Sequence, residues 1–474
     1  MAEAGVERRG GGQEGHLQPG LKRRHMTMIA IGGIIGAGLF VGTGPILNQA
    51  GPATILTYLL TGAILILIMR MLGEMAVAHP SVGSFSDYSR MALGNWAGFS
   101  VGWLYWYFWA IVVGFEATVA AGILGEYITG VPPWLISLIL ILLLTATNLY
   151  SVGSYGEFEF WFAGIKVAAI IIFIVMAILF IIGVLPGGGT GLSNLVAHGG
   201  FFPNGGLVMF SGVVTVIFAF VGAEIVTIAA AESSEPEQGV VRATNQVIVR
   251  VLLFYVGSVF FLAAVVPWDT KFSSDAVLQS PFTIAFQKMG IPFAPDIMNF
   301  VVLTAVLSVL NSSLYTTSRM LFALTRHNDA PGFFINTTRR GVPMWAILAG
   351  TSFAYISVVI YYFFPEQIFT WLINASGAIA LFVYLLIAIS ELVMRRRLER
   401  DAPERLRLKM WLYPWLTYLS IAAMAAVLIA MAVIPDQRPL LIASVISAVV
   451  MLVAYLLRRQ FGSPEKSPDE VAER

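Results

Sequence analysis

"GGIIGAGLF", Gly32 to Phe40, places four glycines within nine residues of an otherwise apolar stretch. In a helix interior each glycine costs roughly 1 kcal/mol relative to alanine. Two readings account for it. Small residues let backbones approach closely in membranes, and Gly32–Gly36 has the GxxxG spacing that does so. Alternatively the helix unwinds here, which at membrane depth is tolerated only where the backbone faces protein or a water-filled cavity. An unwound stretch would offer free N–H groups and a half-helix N-terminus, both suited to a carboxylate.

The sequence around it sets the solvent. Of 474 residues, 58% are apolar and 12% are charged, roughly half the charged share of a soluble domain. Apolar runs near twenty residues recur from end to end, each long enough to cross a hydrocarbon core of roughly 30 Å. The chain reads as an all-α polytopic membrane protein with the lipid bilayer as its solvent. Twelve spans are expected, near 27–48, 53–78, 96–125, 133–150, 158–183, 207–232, 246–267, 296–324, 342–363, 368–394, 411–434 and 439–457. Residues 1–26 are polar and Gly-rich and read as a disordered cytoplasmic tail rather than a signal peptide. Residues 458–474 read as a second tail. With the N-terminus inside, 21 of the Lys and Arg residues fall in inner segments and 3 in outer loops. That asymmetry predicts both termini in the cytoplasm and a multi-pass protein of the cell inner (plasma) membrane.

Several function classes lose their support. There is no cysteine, so neither disulfides nor thiol chemistry enters. "GTGPIL" lacks the lysine and spacing of a phosphate-binding loop. No His, Asp and Glu cluster has metal-ligand spacing, so neither a metal site nor a cofactor is expected. No nucleophile–base pair points to an enzyme, and no ring of charges or repeated filter points to a channel. The net charge of +1 is local to loops and suggests no nucleic-acid partner.

A second interruption lies in "FAFVGAEIVTIAAAES", where Gly222 and Glu224 fall in the middle of the sixth apolar run. Spans one and six are counterparts if the chain holds two inverted five-span repeats, about 27–183 and 207–394, followed by two extra helices at about 411–457. Transporters of that plan pair two discontinuous helices around a binding site near the bilayer midplane. That pairing tips the glycine stretch toward a binding site over simple packing.

Charges inside spans cost roughly 2.5–3.5 kcal/mol and mark ion pathways and proton relays. Lys166, in "EFWFAGIKV", lies about eight residues into span five. It either snorkels back to the interface or faces the interior as a fixed cation. Glu116 lies deep in span three and Glu224 on the interrupted span six. Each is either a proton carrier or a structural hydrogen-bond acceptor. Glu232 is either a coupling group or a solvated helix end. Arg70 and Arg319 read as structural, with Glu74 the expected partner of Arg70 at i+4. Trp103, Trp106 and Trp109 read as packing and belt residues.

Long stretches resemble the amino acid transporter family of the amino acid–polyamine–organocation superfamily. They are "LKRRHMTMIAIGGIIGAGLFVGTG", "GPATILTYLLTGAILILIMRMLGEMAV", "YGEFEFWFAGIKV", "GAEIVTIAAAESSEPEQGVVRATNQVIVRV", "LNSSLYTTSRMLFALTRHNDAP" and "MWLYPWLTYL". The likeness runs from Leu21 to about Arg459 and implies the five-plus-five inverted-repeat fold with spans one and six discontinuous. It implies proton-coupled uptake of an amino acid, 4-aminobutyrate first. The alternatives are proline, asparagine or an aromatic amino acid, or an electroneutral exchanger. By position it gives the amides of Gly36, Ala37 and Gly38 to the substrate carboxylate, with Ile35 beside them. It gives the carbonyls of Phe218, Ala219 and Val221, next to Gly222, to the ammonium. Lys166 matches a lysine that stands where related folds hold sodium, near Ser312 and Ser313. Glu116, Glu224 and Glu232 match acidic positions tied to coupling.

Overall fold

A computed structural model describes Arg24, His25, Thr27, Met28 and residues 35–461. Excepted are Val82, Ser151, Thr190, Leu207, Gly377 and residues 231–235, 271–279, 339–340, 369–370 and 373–375. Glu232 and the glycines Gly32 and Gly33 thus lie outside the described residues. Among the described residues there are helices and no strands. In chain order they are α1 (Ala37–Phe40), α2 (Thr43–Ala50), α3 (Thr54–Ala78), α4 (Phe85–Leu93), α5 (Asn95–Tyr127), α6 (Pro133–Tyr150) and α7 (Val152–Ile181). Then come α8 (Val208–Ser211), α9 (Val213–Phe220), α10 (Ile225–Ala230), α11 (Pro236–Arg250), α12 (Ser258–Val265), α13 (Pro281–Lys288) and α14 (Ala294–Arg326). The last four are α15 (Met344–Phe363), α16 (Ile379–Asp401), α17 (Trp415–Val433) and α18 (Arg438–Phe461).

Apolar length decides which helices cross a membrane. Among the described residues, ten helical stretches are long and apolar enough to do so. The burial of each shows its place. In α5 and α14, each 33 residues and about 50 Å long at 1.5 Å per residue, 83% and 78% of the crossing window is inside the protein. They pack on each other as the central pair. In α18 only 11% is inside, and its outward row, Ile442, Val445, Ile446, Val449 and Val453, is exposed as a lipid-facing helix requires.

Two local findings differ from the sequence expectation. Arg70 does not pair with Glu74. Its Nε donates to the Lys409 carbonyl at 2.8 Å and its guanidinium lies 4.8 Å over Trp411. Glu74 instead accepts from Arg395 Nη1 at 2.6 Å and from the Met410 amide at 2.5 Å. Burial of Glu74 on the face toward α16 made a tertiary cation the better partner than a neighbour one turn away. The helix expected to end at 394 runs on to Asp401, and the start of that expected span, 369–377, lies largely outside the described residues. The charged extension is held by an Arg395–Glu399 pair at i,i+4.

Between α11 and α12 the chain is π-helical over Val251–Gly257, a form often found beside functional sites. It carries the hydroxyl of Tyr255 to the carbonyl of Ala219, 3.2 Å away on α9.

Candidate functional site

Gly36 is extended (φ −134°, ψ −158°) and α1 begins at Ala37. The carbonyl of Gly36 accepts from Leu39 and Phe40, both at 3.3 Å, which turns the chain into the short helix. The amides of Ala37 and Gly38 head that helix, in the first turn where amides have no partner within the helix itself. Gly38 touches α9 backbone to backbone. A Cβ there would lie 2.6 Å from the Cα of Ala219 and 2.9 Å from its Cβ. At Gly36 a Cβ would lie 2.7 Å from Val309 Cγ2 and 3.4 Å from Glu116 Oε1. Gly36 and Gly38 are thus both closely packed against neighbouring helices.

The chain leaves helical geometry again between α9 and α10. Val221 has ψ 139° and Gly222 has φ +110°, a conformation that favours glycine. A carboxylate stabilises this bend. The amide of Gly222 donates to both oxygens of Glu224 at 3.2 Å, which leaves the carbonyl of Phe218 without the donor a continuing helix would supply. Tyr105 on α5 donates to Glu224 Oε1 at 2.9 Å, and Tyr384 on α16 donates to Oε2 at 3.0 Å. Glu224 is fully buried. A carboxylate with four such contacts is satisfied in the sense that buried polar groups require. The Glu224 carbonyl then accepts from Thr227 Oγ1 at 2.7 Å, and Thr227 meets Ser84 at 2.8 Å.

Between these two stretches lies a narrow cavity with room for about 20 Å³, enough for about one water. Gly36 and Gly38 form one wall, and Phe218, Ala219 and Val221 another. Phe108, Trp109, Val112 and Glu116 of α5 and Val309 of α14 complete it. Trp109 thus lines the site, whereas the sequence assigned it to packing. Glu116 Oε2 is buried and has no hydrogen-bond partner among the described residues. Orphaned buried oxygens of this kind are rare and call for a role.

Lys166 is fully buried and does not snorkel. Its Nζ donates to Ser308 Oγ on α14 at 2.8 Å and stands 3.9 Å from Glu159 Oε1. Glu159 accepts from Ser308 at 2.7 Å and from Ser312 at 3.2 Å. Ser312 therefore joins the cluster through Glu159, while Ser313 turns back to the Val309 carbonyl of its own helix. Glu159 and Ser308 were missed in the sequence. The signal for Glu159 was present: it lies seven residues before Lys166, two turns along the same helix face.

The helix α13 packs against the end of α1. Ser280, its cap, donates to the Phe40 carbonyl at 2.6 Å, and Phe282 packs edge-on against Phe40 and Phe173 at 5.4 and 4.8 Å. Glu157, near the start of α7, pairs with Arg24 and lies 3.1 Å from His25 Nε2.

Residues 25–467 match the amino acid permease family. The chain belongs to that family. The permease is 51% identical over 453 residues to the gamma-aminobutyric acid permease of Bacillus subtilis (strain 168), covering 95% of this chain and 96% of that one. It is 48% identical over 427 residues to the gamma-aminobutyric acid permease of Escherichia coli (strain K12), covering 90% and 91%. Among solved structures it resembles Mhp1, a nucleobase-cation-symport-1 family transporter, in a closed conformation with bromovinylhydantoin bound. The TM-score is 0.55 at 16% identity over 97% of both chains, a likeness of fold. The permease is thus an all-helical membrane protein of amino acid transport, and its relatives are permeases rather than enzymes.

Proposed function

We propose that the permease takes up 4-aminobutyrate across the plasma membrane, driven by the proton gradient. The observation that carries the substrate is the identity of 51% and 48% to two 4-aminobutyrate permeases over nine-tenths of the chain. The amides of Gly36, Ala37 and Gly38 hold the carboxylate, with Ile35 at their N-terminal side. The carbonyls of Phe218, Ala219 and Val221, beside Gly222, take the ammonium. The freed carbonyl of Phe218 supports this reading.

Lys166 is the fixed cation that ties the α7–α14 interface in place of a metal ion, and its proton is the coupling ion. Glu116, with one oxygen unpartnered and facing the cavity, is the acidic group best placed to exchange a proton as substrate binds. Glu224 and Glu232 stand behind it, since the oxygens of Glu224 are already occupied by donors. Twelve crossings fit the helices. The first apolar stretch, Ala37–Ala78, has 42 residues, about twice one crossing, and turns at Gly51 (φ +62°). The other nine stretches and α16 complete the count. Spans one and six are the discontinuous pair, the repeats are about 27–183 and 207–394, and residues 411–457 add two helices. The skew of basic residues toward one side supports cytoplasmic termini.

The test is uptake in proteoliposomes with an imposed pH difference and a competition panel. 4-Aminobutyrate should accumulate and compete better than phenylalanine or lysine. Inhibition by aromatic or cationic amino acids alone would reassign the substrate. Counterflow that ignores the pH difference would make the permease an exchanger.

A further inference from the structure

The antiparallel helices α7 and α14 carry a continuous run of polar side chains along their buried interface. At one end is Lys166 on Ser308. Glu159 follows, bonded to Ser308 and Ser312. Beyond it the hydroxyl of Tyr155 lies 3.4 Å from Ser312 Oγ. The Tyr155 ring stacks at 4.2 Å and 3° on Tyr315, and the Arg319 guanidinium covers Tyr315 at 4.2 Å. From Lys166 to Tyr155 the run covers eleven residues of α7, about 16 Å at 1.5 Å per residue. It heads toward the end of α7 where Glu157 meets Arg24 and His25. Cores avoid such rows unless every member is satisfied, and binding the substrate needs none of them.

We propose that Glu159 is the acceptor of the Lys166 proton, reached through the Ser308 hydroxyl, and that the row beyond it carries that proton toward the cytoplasm. The step balances. An N–H bond of Lys166 breaks as a new O–H bond forms on Ser308, whose original proton passes to Glu159. An ammonium–carboxylate pair becomes an amine–carboxylic acid pair with no net charge moved. Both charged groups that the α14 hydroxyls of Ser308 and Ser312 hydrogen-bond are neutralised in the same step, which weakens those bonds across the α7–α14 interface. The proposal rests on the proton-coupled reading above and adds where the proton goes.

The groups facing Glu159 are few. Lys166 and Tyr155 lie on its own helix, and Ser308, Ser312, Tyr315 and Arg319 come from α14. Glu116 of α5 interacts electrostatically with Lys166 from the cavity side. The helices α6 and α12 and the π-helical Val251–Gly257, also packed on α7, contain no Asp, Glu, Lys, Arg or His, and Tyr255 of the π-helical stretch donates to the Ala219 carbonyl. Glu157, two residues away, is paired with Arg24 and His25. No second buried carboxylate competes for the Ser308 hydroxyl among the described residues.

The experiment uses the full chain in proteoliposomes and 4-aminobutyrate as probe. Substrate-induced thermal stabilisation is read in detergent beside it. Glu159→Gln should keep substrate-induced stabilisation and lose about tenfold or more of the accumulation driven by an imposed pH difference. Its net uptake should no longer vary with internal pH as the wild type does. Glu159→Asp should restore part of the loss. Ser308→Ala should slow net uptake, and Ser308→Thr, which returns the hydroxyl, should recover it. Wild-type accumulation by Glu159→Gln would overturn the proposal while leaving proton-coupled uptake standing. Loss of substrate binding and thermal stability together with uptake would make Glu159 structural and overturn it as well. Threonine no better than alanine at position 308, in folded protein, would remove the hydroxyl from the path. A wild type that ignores the pH difference would end both this proposal and the coupled reading beneath it.

Discussion

The two non-helical stretches that face each other across the cavity are built by opposite means. At Gly36–Gly38 the chain is shaped by what is absent: no side chain separates Gly38 from the backbone of Ala219. At residues 221–224 it is shaped by what is present. The Glu224 carboxylate gathers the Gly222 amide and the hydroxyls of Tyr105 and Tyr384. The first arrangement places the amides of Ala37 and Gly38 at the start of α1. The second commits its polar atoms to neighbouring helices. One stretch is therefore set by close backbone contact, and the other by a carboxylate that gathers donors.

The contrast is most exposed to disruption at Glu224. Glu224→Ala leaves three donors on three elements without their acceptor, and each unsatisfied buried donor costs roughly 1–3 kcal/mol. A loss of about 3 kcal/mol or more is expected, read as collapse of the monodisperse fraction and of thermal stability. Glu224→Gln keeps one acceptor oxygen and should lose distinctly less. If the alanine variant is as stable as wild type, the carboxylate does not hold the bend.

Gly38→Ala comes next. Its Cβ meets the Cα of Ala219, and backbone cannot swing aside as a flexible side chain can. Overpacking of this kind costs roughly 1–3 kcal/mol. Adding Ala219→Gly removes the methyl that the new side chain would meet at 2.9 Å. The backbone of residue 219 still stands 2.6 Å away, so rescue should be partial. Full rescue would mean that side chains, not backbones, set the spacing. A bulky residue at position 38 consequently probes packing and binding together.

Gly36 separates the two. Its backbone is extended and needs no glycine, and its Cβ would strike a side-chain methyl of Val309. Gly36→Ala with Val309→Ala should therefore fold like wild type. The added methyl still stands at the cavity beside Glu116, and a roughly tenfold loss of 4-aminobutyrate affinity, about 1.4 kcal/mol, is expected in a binding titration. Unchanged affinity would move the substrate away from Gly36.

What could be read in the sequence follows this same division. Glycines and charges in apolar runs advertise themselves, because each carries an energetic cost that lipid magnifies. Gly36, Gly38, Gly222, Glu116, Lys166 and Glu224 all stood out that way. Tyr105, Tyr384 and Ser308 did not, since tyrosine and serine are ordinary in spans and their partners lie 119, 160 and 142 residues off in sequence. Arg70 shows the opposite failure. An i,i+4 acid was visible, yet a buried arginine on α16 outcompeted it for Glu74. Local spacing proposes pairs, and burial selects among them.

The smallest effect tests how far the Glu224 anchor extends. Thr227 links it to Ser84, the residue that precedes α4. On α4, Asp87 accepts from Ser81 and lies 2.9 Å from His327 Nε2, beyond the end of α14. Burial pushes the Asp87 carboxyl up. The His327 hydrogen bond and charge, Ser81 and Arg90 together outweigh that and hold it below the usual carboxylate value. A carboxyl depressed in the folded state stabilises above its unfolded value, about 3.9, and loses that contribution as pH falls through the folded value. Asp87→Asn should therefore cost about 1–2 kcal/mol at pH 7. The gap in thermal stability from wild type should stay constant down to about pH 4 and shrink below it. Pairing the change with Thr227→Val tells whether the chain of contacts is one unit. Neighbours that share a network couple by roughly 0.5–3 kcal/mol, whereas independent sites add within about 0.5 kcal/mol. Additive losses would confine the anchor to Glu224 and its two tyrosines, and coupled losses would extend it to α4 and the loop after α14.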